Sequence, residues 1–151
     1  MGDYIISCCS TADVTETYLK DKNIEYICFH YYLDDKAYTD DLYQSMSPQD
    51  FYQAMLDGAM TKTSQVNAEE FTQYFRKFLE QGKDVIHLTL SSGISGVINS
   101  ARIAAEELSE EFPDRKIVVF DSLTAFPLVL LCQLRMLYCT APLDNLHNLE
   151  A

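Results

Sequence analysis

Three segments rich in Ser and Thr side chains could together form a binding site for an anion. They are Ser10-Thr11, Thr63-Ser64-Gln65 and Ser91 to Ser95. The first and third segments follow predicted strands, and the second precedes a predicted helix. Ligands of open α/β sheets bind beyond the carboxyl ends of the strands, so we expect an anion site at that edge of the sheet.

The turn from Ser91 to Gly96 carries the strongest of these signals, because it joins a predicted buried strand to a predicted helix. We expect a turn containing Gly93 and Gly96 to leave free backbone N–H groups that point at one spot, where the helix dipole adds positive potential. The serine hydroxyl groups can donate further hydrogen bonds. This combination suits a carboxylate or a phosphate. Lys62 is the only basic residue in or beside the three segments.

Each segment taken alone favours a structural role, since Ser, Thr and Gly fill ordinary turns and helix caps. The letters SSGISG match neither the Walker pattern nor the GxGxxG pattern of nucleotide-binding sites. The stretch Gly93-Ile94-Ser95-Gly96 also differs from the GxSxG turn that carries the nucleophile of α/β hydrolases. His30 and His87 lie inside predicted strands, and no Ser-His-Asp or Cys-His arrangement is indicated. We therefore predict no catalytic residue.

A metal site is also not expected. The loop that follows the second predicted strand contains four carboxylates, Asp34, Asp35, Asp40 and Asp41, which could hold a cation in principle. Solvation of these side chains in a loop is the better interpretation. Cys8 and Cys9 are adjacent, which is the wrong spacing for a tetrahedral metal clip, and buried thiols on strands are expected instead.

Strands and helices alternate along the chain, which predicts one α/β domain with a parallel sheet and flanking helices. The expected strands are Tyr4–Cys9, Asn23–Leu33, Asp84–Leu90 and Lys116–Phe120. The expected helices start near Thr11, Ser47, Asn67 and Val97, and Thr61–Val66 is expected to be a polar connection. Further on, Leu128–Tyr138 is apolar nearly all round and favours a buried helix, while residues 140–151 favour a loose end.

Composition excludes several classes of function. The chain has 151 residues with 11 Lys and Arg against 23 Asp and Glu, a net charge of −12. Nucleic acids and anionic lipid surfaces require excess positive charge, so neither is an expected partner. The count of five cysteines is odd and no secretory signal is evident, which predicts reduced thiols and a cytoplasmic protein. The apolar run near the end is too short and too polar for a membrane span.

Four segments in this order and spacing resemble the DegV family. They are Cys9-Ser10-Thr11-Ala12-Asp13, Lys62-Thr63-Ser64-Gln65, the stretch Leu90–Gly96 followed by Asn99-Ser100-Ala101, and Val118-Val119-Phe120-Asp121-Ser122. The resemblance covers about residues 3–125. It divides the chain into a DegV-like N-terminal α/β domain, residues 1–125, and a divergent, partly helical tail, residues 126–151.

The resemblance implies a protein that binds a long-chain fatty acid and performs no chemistry itself. It further implies that Thr63 and Ser95 hold the fatty-acid carboxylate and that Ser10, Ser64, Ser92, Gly93 and Gly96 support the site. The ligand is the fatty acid, and no cofactor is implied. In many bacteria such proteins present the bound lipid to a fatty-acid kinase, which makes this kinase the expected partner.

Two departures from the family pattern affect these expectations. Cys9 stands where the family usually has Asp, and the family's second domain, which closes over the acyl chain, does not follow Ala125. We therefore expect a truncated or divergent product, with a tail from a shifted reading frame as one hypothesis. Such a chain should bind lipid weakly and could self-associate through apolar surface that the second domain would cover.

Two other functions stay open from the sequence. One is a small enzyme or sensor that binds a phosphorylated metabolite at the Gly93–Gly96 turn. The other is a structural or partner-binding fragment in which the hydroxyl groups only cap helices. A continuous apolar groove that leads away from Thr63 and Ser95 would favour the fatty acid over a phosphate.

Overall fold

A computed structural model of the protein describes residues 3–123. Its centre is a four-stranded parallel sheet in the order β2-β1-β6-β7. The strands are β1 (Tyr4–Cys9), β2 (Ile24–Ile27), β6 (Asp84–Thr89) and β7 (Ile117–Asp121). The central position of β6 agrees with its burial, since all six of its residues are buried. The predicted α/β class with a parallel sheet is confirmed.

Helices cover both faces of this sheet. On one side, α3 (Ala68–Leu79) and α4 (Val97–Glu111) pack on β6 and β7. Their apolar stripes meet the strands in a cluster that includes Phe71, Phe75, Val97, Ala101 and Leu108. On the other side lies α1 (Glu16–Asp21), whose Leu19 is wholly buried beside Ile6, Ile24 and Leu88.

A second sheet of three antiparallel strands was not predicted. Its order is β4-β3-β5, with β3 (His30–Leu33) in the middle, β4 (Lys36–Thr39) on one side and β5 (Thr61–Ser64) on the other. The predicted single strand Asn23–Leu33 is thus two strands in two different sheets, and the predicted connection Thr61–Val66 contains a strand. The α2 helix (Pro48–Leu56) lies between β4 and β5 in the chain and contains no buried residue.

Helix boundaries follow the capping signals of the sequence. Ser47 caps α2 by accepting the N–H of Asp50, and Pro48 occupies the first turn. Asn67 and Glu70 form a complete capping box at the start of α3. Helix α1 starts later than expected, since Thr15 caps it and the segment Ser10–Ala12 is a short 3₁₀ turn.

Three predictions concern residues after position 123, which the structure does not describe. The predicted helix Leu128–Tyr138, the expected loose end and the boundary after residue 125 all lie outside the described residues. Between residues 3 and 123, no helix is long and apolar enough to cross a membrane.

Candidate functional site

Thr63 lies in a row of side chains across the small antiparallel sheet. Tyr31 of β3 pairs with Tyr38 of β4 on one side and with Thr63 of β5 on the other. Side chains directly opposite each other in such pairs share one face of the sheet. The rings of Tyr31 and Tyr38 stack with centroids 5.3 Å apart, and the Phe51 ring of α2 meets Tyr31 edge-on at 5.5 Å. Thr63 therefore lies on the face that α2 approaches.

Gln65 connects this sheet to the serine turn before α4. It follows the end of β5, and its Oε1 accepts a hydrogen bond of 2.9 Å from the Oγ of Ser95. A Cβ atom on Gly96 would lie 3.7 Å from the same Oε1, which is an ordinary van der Waals contact. The segments that contain Thr63 and Ser95 are thus joined through Gln65, which was not among the predicted site residues.

The backbone of the serine turn is more fully hydrogen-bonded than predicted. Ser91 accepts the N–H of Gly93 through Oγ and those of Ile94 and Ser95 through its carbonyl oxygen. The N–H of Ser92 donates to the carboxylate of Asp121 at the end of β7. The prediction of free, converging N–H groups is therefore wrong for these four residues, because neighbouring oxygens already accept their hydrogens.

Asp121 adds a negative charge to this turn. Burial alone would raise the pKa of the Asp121 carboxyl, but hydrogen bonds from Ser92 and Leu123 outweigh it and lower the pKa. The carboxylate is consequently ionised near neutral pH. Any anion at the turn must bind on the Ser95 side, where the first turn of α4 begins and the Oγ of Ser95 also accepts the N–H of Val97.

Ser10 has a different environment from the other predicted site residues. Its hydroxyl group donates to Oδ2 of Asp40 at 2.7 Å and accepts the N–H of Phe29 at 3.0 Å. It therefore ties the end of β1 to both ends of the β3–β4 hairpin. The structure does not join Ser10 to Thr63 and Ser95 by any hydrogen bond among the described residues.

The remaining supporting residues lie close to the two segments. Ser64 ends β5, pairs with His30 and donates weakly to the carbonyl oxygen of Gln65 at 3.4 Å. Ser92 and Gly93 lie exposed in the serine turn, and Gly96 is the residue that precedes α4.

A cavity of about 310 Å³ lies between the small sheet, α2 and the loop that joins them. Thr63 lines it, together with aromatic side chains and the carboxylates Asp40 and Asp41. Burial raises the pKa of Tyr31, and the charges of Asp41 and Asp40 raise it further. The density of Tyr and Phe in residues 26–52 was the sequence signal that could have indicated this cavity.

Among residues 3–123, the most deeply buried histidine lies beside a buried thiol. His87 is wholly buried, within 2.6 Å of Ser7 Oγ and 3.7 Å of Cys9 Sγ. Burial lowers the pKa of His87 to about 3 and raises that of Cys9 to about 12, so both are neutral. Nε2 of His30 lies 2.7 Å from Oε1 of Glu70. Across residues 3–123, no group of three or more His, Cys, Asp and Glu side chains is placed to hold a metal ion.

A family model described as "Uncharacterised protein, DegV family" matches residues 6–134. The chain belongs to the DegV family. It is 35% identical over 125 residues to a DegV domain-containing protein of Clostridium perfringens, a match that covers 83% of this chain and 43% of that one. A fatty acid-binding protein of Thermotoga maritima is 33% identical over 118 residues, 77% of this chain and 39% of its own length.

These DegV relatives are longer than the chain, which spans less than half of their length. A third relative is of similar size: a DegV domain-containing 15.5 kDa protein of Staphylococcus aureus, 32% identical over 122 residues, with 81% of this chain and 82% of that protein covered. Among solved structures, a stearic acid-binding protein of Eubacterium ventriosum superposes with a TM-score of 0.81 at 28% identity. That match covers 96% of this chain and 51% of that chain.

Proposed function

We propose that this DegV chain binds a long-chain fatty acid and that Thr63 and Ser95 hold its carboxylate. The observation that carries the proposal is the hydrogen bond of 2.9 Å between Ser95 and Gln65, because it joins the two hydroxyl-bearing segments at the start of a helix. The relatives named for fatty-acid binding, which match 77% and 96% of this chain, support the choice of ligand.

In this proposal, the ligand carboxylate replaces Gln65 as the acceptor of the Ser95 hydroxyl group. Ser95 Oγ keeps the N–H of Val97 as its donor partner and can direct its own hydrogen either to Gln65 or to a ligand carboxylate. The positive end of the α4 dipole favours the carboxylate over the neutral amide of Gln65. Ser64, Ser92, Gly93 and Gly96 shape the surroundings. Ser10 supports the site indirectly, because it holds the β3–β4 hairpin with which β5 pairs.

We propose no catalytic activity for the chain itself. A fatty-acid kinase as partner, a cytoplasmic location and self-association remain predictions from the family resemblance and the sequence. Each concerns the whole protein in the cell rather than the carboxylate site.

Native mass spectrometry tests the carboxylate site directly. The protein is purified from bacteria, bound lipid is extracted, and uptake of added oleate is measured for the wild type, Thr63→Val and Ser95→Ala. Loss of one hydrogen bond to a charged group corresponds to about tenfold weaker binding or more. We therefore expect either substitution to reduce the lipid-bound fraction sharply.

Matched controls come from the same elements. Thr61→Val changes another threonine of β5, and Ser109→Ala removes an exposed hydroxyl group from α4. Both should retain oleate binding. A wild-type protein that neither carries lipid nor takes up oleate would contradict the proposal, as would full binding by both site variants.

A further inference from the structure

The cavity beside α2 has a lining unlike that of a carboxylate site. Five aromatic side chains line it: Phe29, Tyr31, Tyr43, Phe51 and Tyr52. Asp40 and Asp41 lie in the same wall, and no Lys or Arg is among the lining residues. A ligand in this cavity therefore meets aromatic rings together with a negative potential.

The two carboxylates are held in place by hydrogen bonds. The carboxylate of Asp41 accepts the N–H groups of Gln44 and Ser45, each within 3.1 Å. Asp40 accepts the hydroxyl group of Ser10 at 2.7 Å. Bonds of this kind fix the position of a carboxylate without pairing it with a positive charge.

The field of these charges reaches the rings and the neighbouring thiol. The pKa of Cys28 is raised to about 11, first by burial and then by Asp40 and Asp41. The same two charges raise the pKa of Tyr31, after burial. The pKa of Tyr43 is raised by burial, then by Asp13, and less by Asp40. A field that disfavours thiolate and phenolate forms also attracts a cation.

Thr11 supplies a polar group that the protein leaves unused. It lines the cavity, and its buried Oγ1 has no hydrogen-bond partner among the described residues. A buried hydroxyl group without a partner is unfavourable, so a ligand that offers a hydrogen-bonding group gains from meeting it.

We propose that this cavity is a binding site for an organic ammonium ion. Aromatic rings combined with carboxylates are the chemistry that recognises quaternary and alkylated ammonium groups. The volume of about 310 Å³ lies within the range for small-molecule sites, so a compact head group fits inside. The proposal does not depend on fatty-acid binding, although Thr63 borders both sites.

Choline and its neutral isostere 3,3-dimethylbutan-1-ol provide the test, because they share size, shape and hydroxyl group and differ only in charge. Both are titrated into the full chain in an amine-free buffer, with binding followed by calorimetry and by NMR of the tyrosine rings. We expect choline to bind about tenfold more tightly than the isostere or better. Because this comparison uses the wild type alone, it needs no variant to fold.

Variants then locate the site. Asp40→Asn keeps an acceptor for Ser10 but removes the charge, and Tyr52→Ala removes a ring that is 63% exposed. Each should weaken choline binding about fivefold or more. Asp57→Asn makes the same charge change at the end of α2, away from the cavity lining, and should leave choline binding unchanged.

Three results would overturn the proposal: equal affinity for choline and the isostere, no binding of choline up to about 10 mM, or an equal loss in Asp57→Asn and Asp40→Asn. Equal affinity for choline and the isostere would mean that the cavity recognises apolar shape and not charge. Equal losses in the two variants would mean that choline responds only to the net charge of the protein. Oleate uptake by the wild type and Ser95→Ala, a residue outside the cavity lining, tests the carboxylate site separately, so either proposal can fail without the other.

Discussion

The hydroxyl group of Ser10 joins three strands that belong to two different sheets. It accepts the N–H of Phe29, where the chain passes from β2 to β3, and donates to Asp40 just after β4. The bond from Phe29 is buried, so water cannot replace it, whereas the bond to Asp40 is only partly buried. Removing the hydroxyl group leaves a backbone donor and a carboxylate without their partner.

Ser10→Ala should therefore lower the free energy of unfolding by about 1–3 kcal/mol, the cost of leaving a buried polar group unsatisfied. Urea denaturation followed by circular dichroism measures the change. Ser64→Ala, which removes only a long hydrogen bond to Gln65, serves as the control and should stay within about 0.5 kcal/mol of the wild type. Equal stabilities for the two variants would show that the Ser10 bonds do not hold the sheets together.

Residue types indicated the chemistry of the site but not its bonding partners. Serine and glycine after a buried strand indicated the turn before α4 correctly. The acceptor that binds the N–H of Ser92 is Asp121, which comes 29 residues later and reaches the turn only because β7 pairs with β6. Gln65 reaches Ser95 in the same non-local way. No local pattern announces such contacts, because they depend on the order of strands in the sheet.

Helix α3 shows how local signals can determine an element. Its capping box satisfies two backbone groups at the first turn, and four buried residues, Phe71, Phe75, Phe78 and Leu79, form one face. Glu70 has a second role, since Oε2 closes the box while Oε1 pairs with His30 of β3. The Asn67 side chain makes no other hydrogen bond among the described residues. Its substitution therefore measures the contribution of the helix cap to stability.

Asn67→Ala should destabilise the protein by about 1 kcal/mol through loss of the bond to the Glu70 N–H. Thermal unfolding would show this as a lower midpoint temperature. Gln73→Ala changes an exposed amide in the middle of the same helix and should have almost no effect. If Gln73→Ala were as destabilising as Asn67→Ala, the loss in Asn67→Ala could not be assigned to the cap.

The small antiparallel sheet could not be predicted from patterns of this kind. Its third strand, with the sequence Thr-Lys-Thr-Ser, has no apolar alternation, and none of its residues is buried. The break between β2 and β3 contains neither Gly nor Pro, so Asn23–Leu33 had the composition of one continuous strand. The strands are held together by the pairing of β3 with β4 and β5 and by the hydrogen bonds of Ser10 to Phe29 and Asp40. Such contacts are tertiary and leave little trace in local sequence.

At the scale of the whole molecule, His87 links the stability of the fold to pH. It lies in the central strand, and its ring meets Phe71 and Phe75 of α3 at centroid distances of 5.2 and 5.3 Å. The titratable groups around it are Cys9 and Tyr74, whose pKa values are both raised by burial. Neither supplies a negative charge near neutral pH, so nothing in this part of the core compensates an imidazolium.

Acid should therefore destabilise the fold through His87. Its pKa is about 3 when folded and about 6.5 when unfolded, so between these values only the unfolded chain binds the proton. The free energy of unfolding should fall by about 1.4 kcal/mol for each pH unit below 6.5 through this residue. Carboxylates also titrate below pH 5, so the measurement is restricted to pH 7.5 to 5. Urea titrations of the wild type and His87→Gln over this range separate the contribution of His87 from that of the other groups. The variant should be less stable at pH 7.5 but lose less stability on acidification, whereas parallel curves for the two proteins would mean that His87 takes up its proton without unfolding.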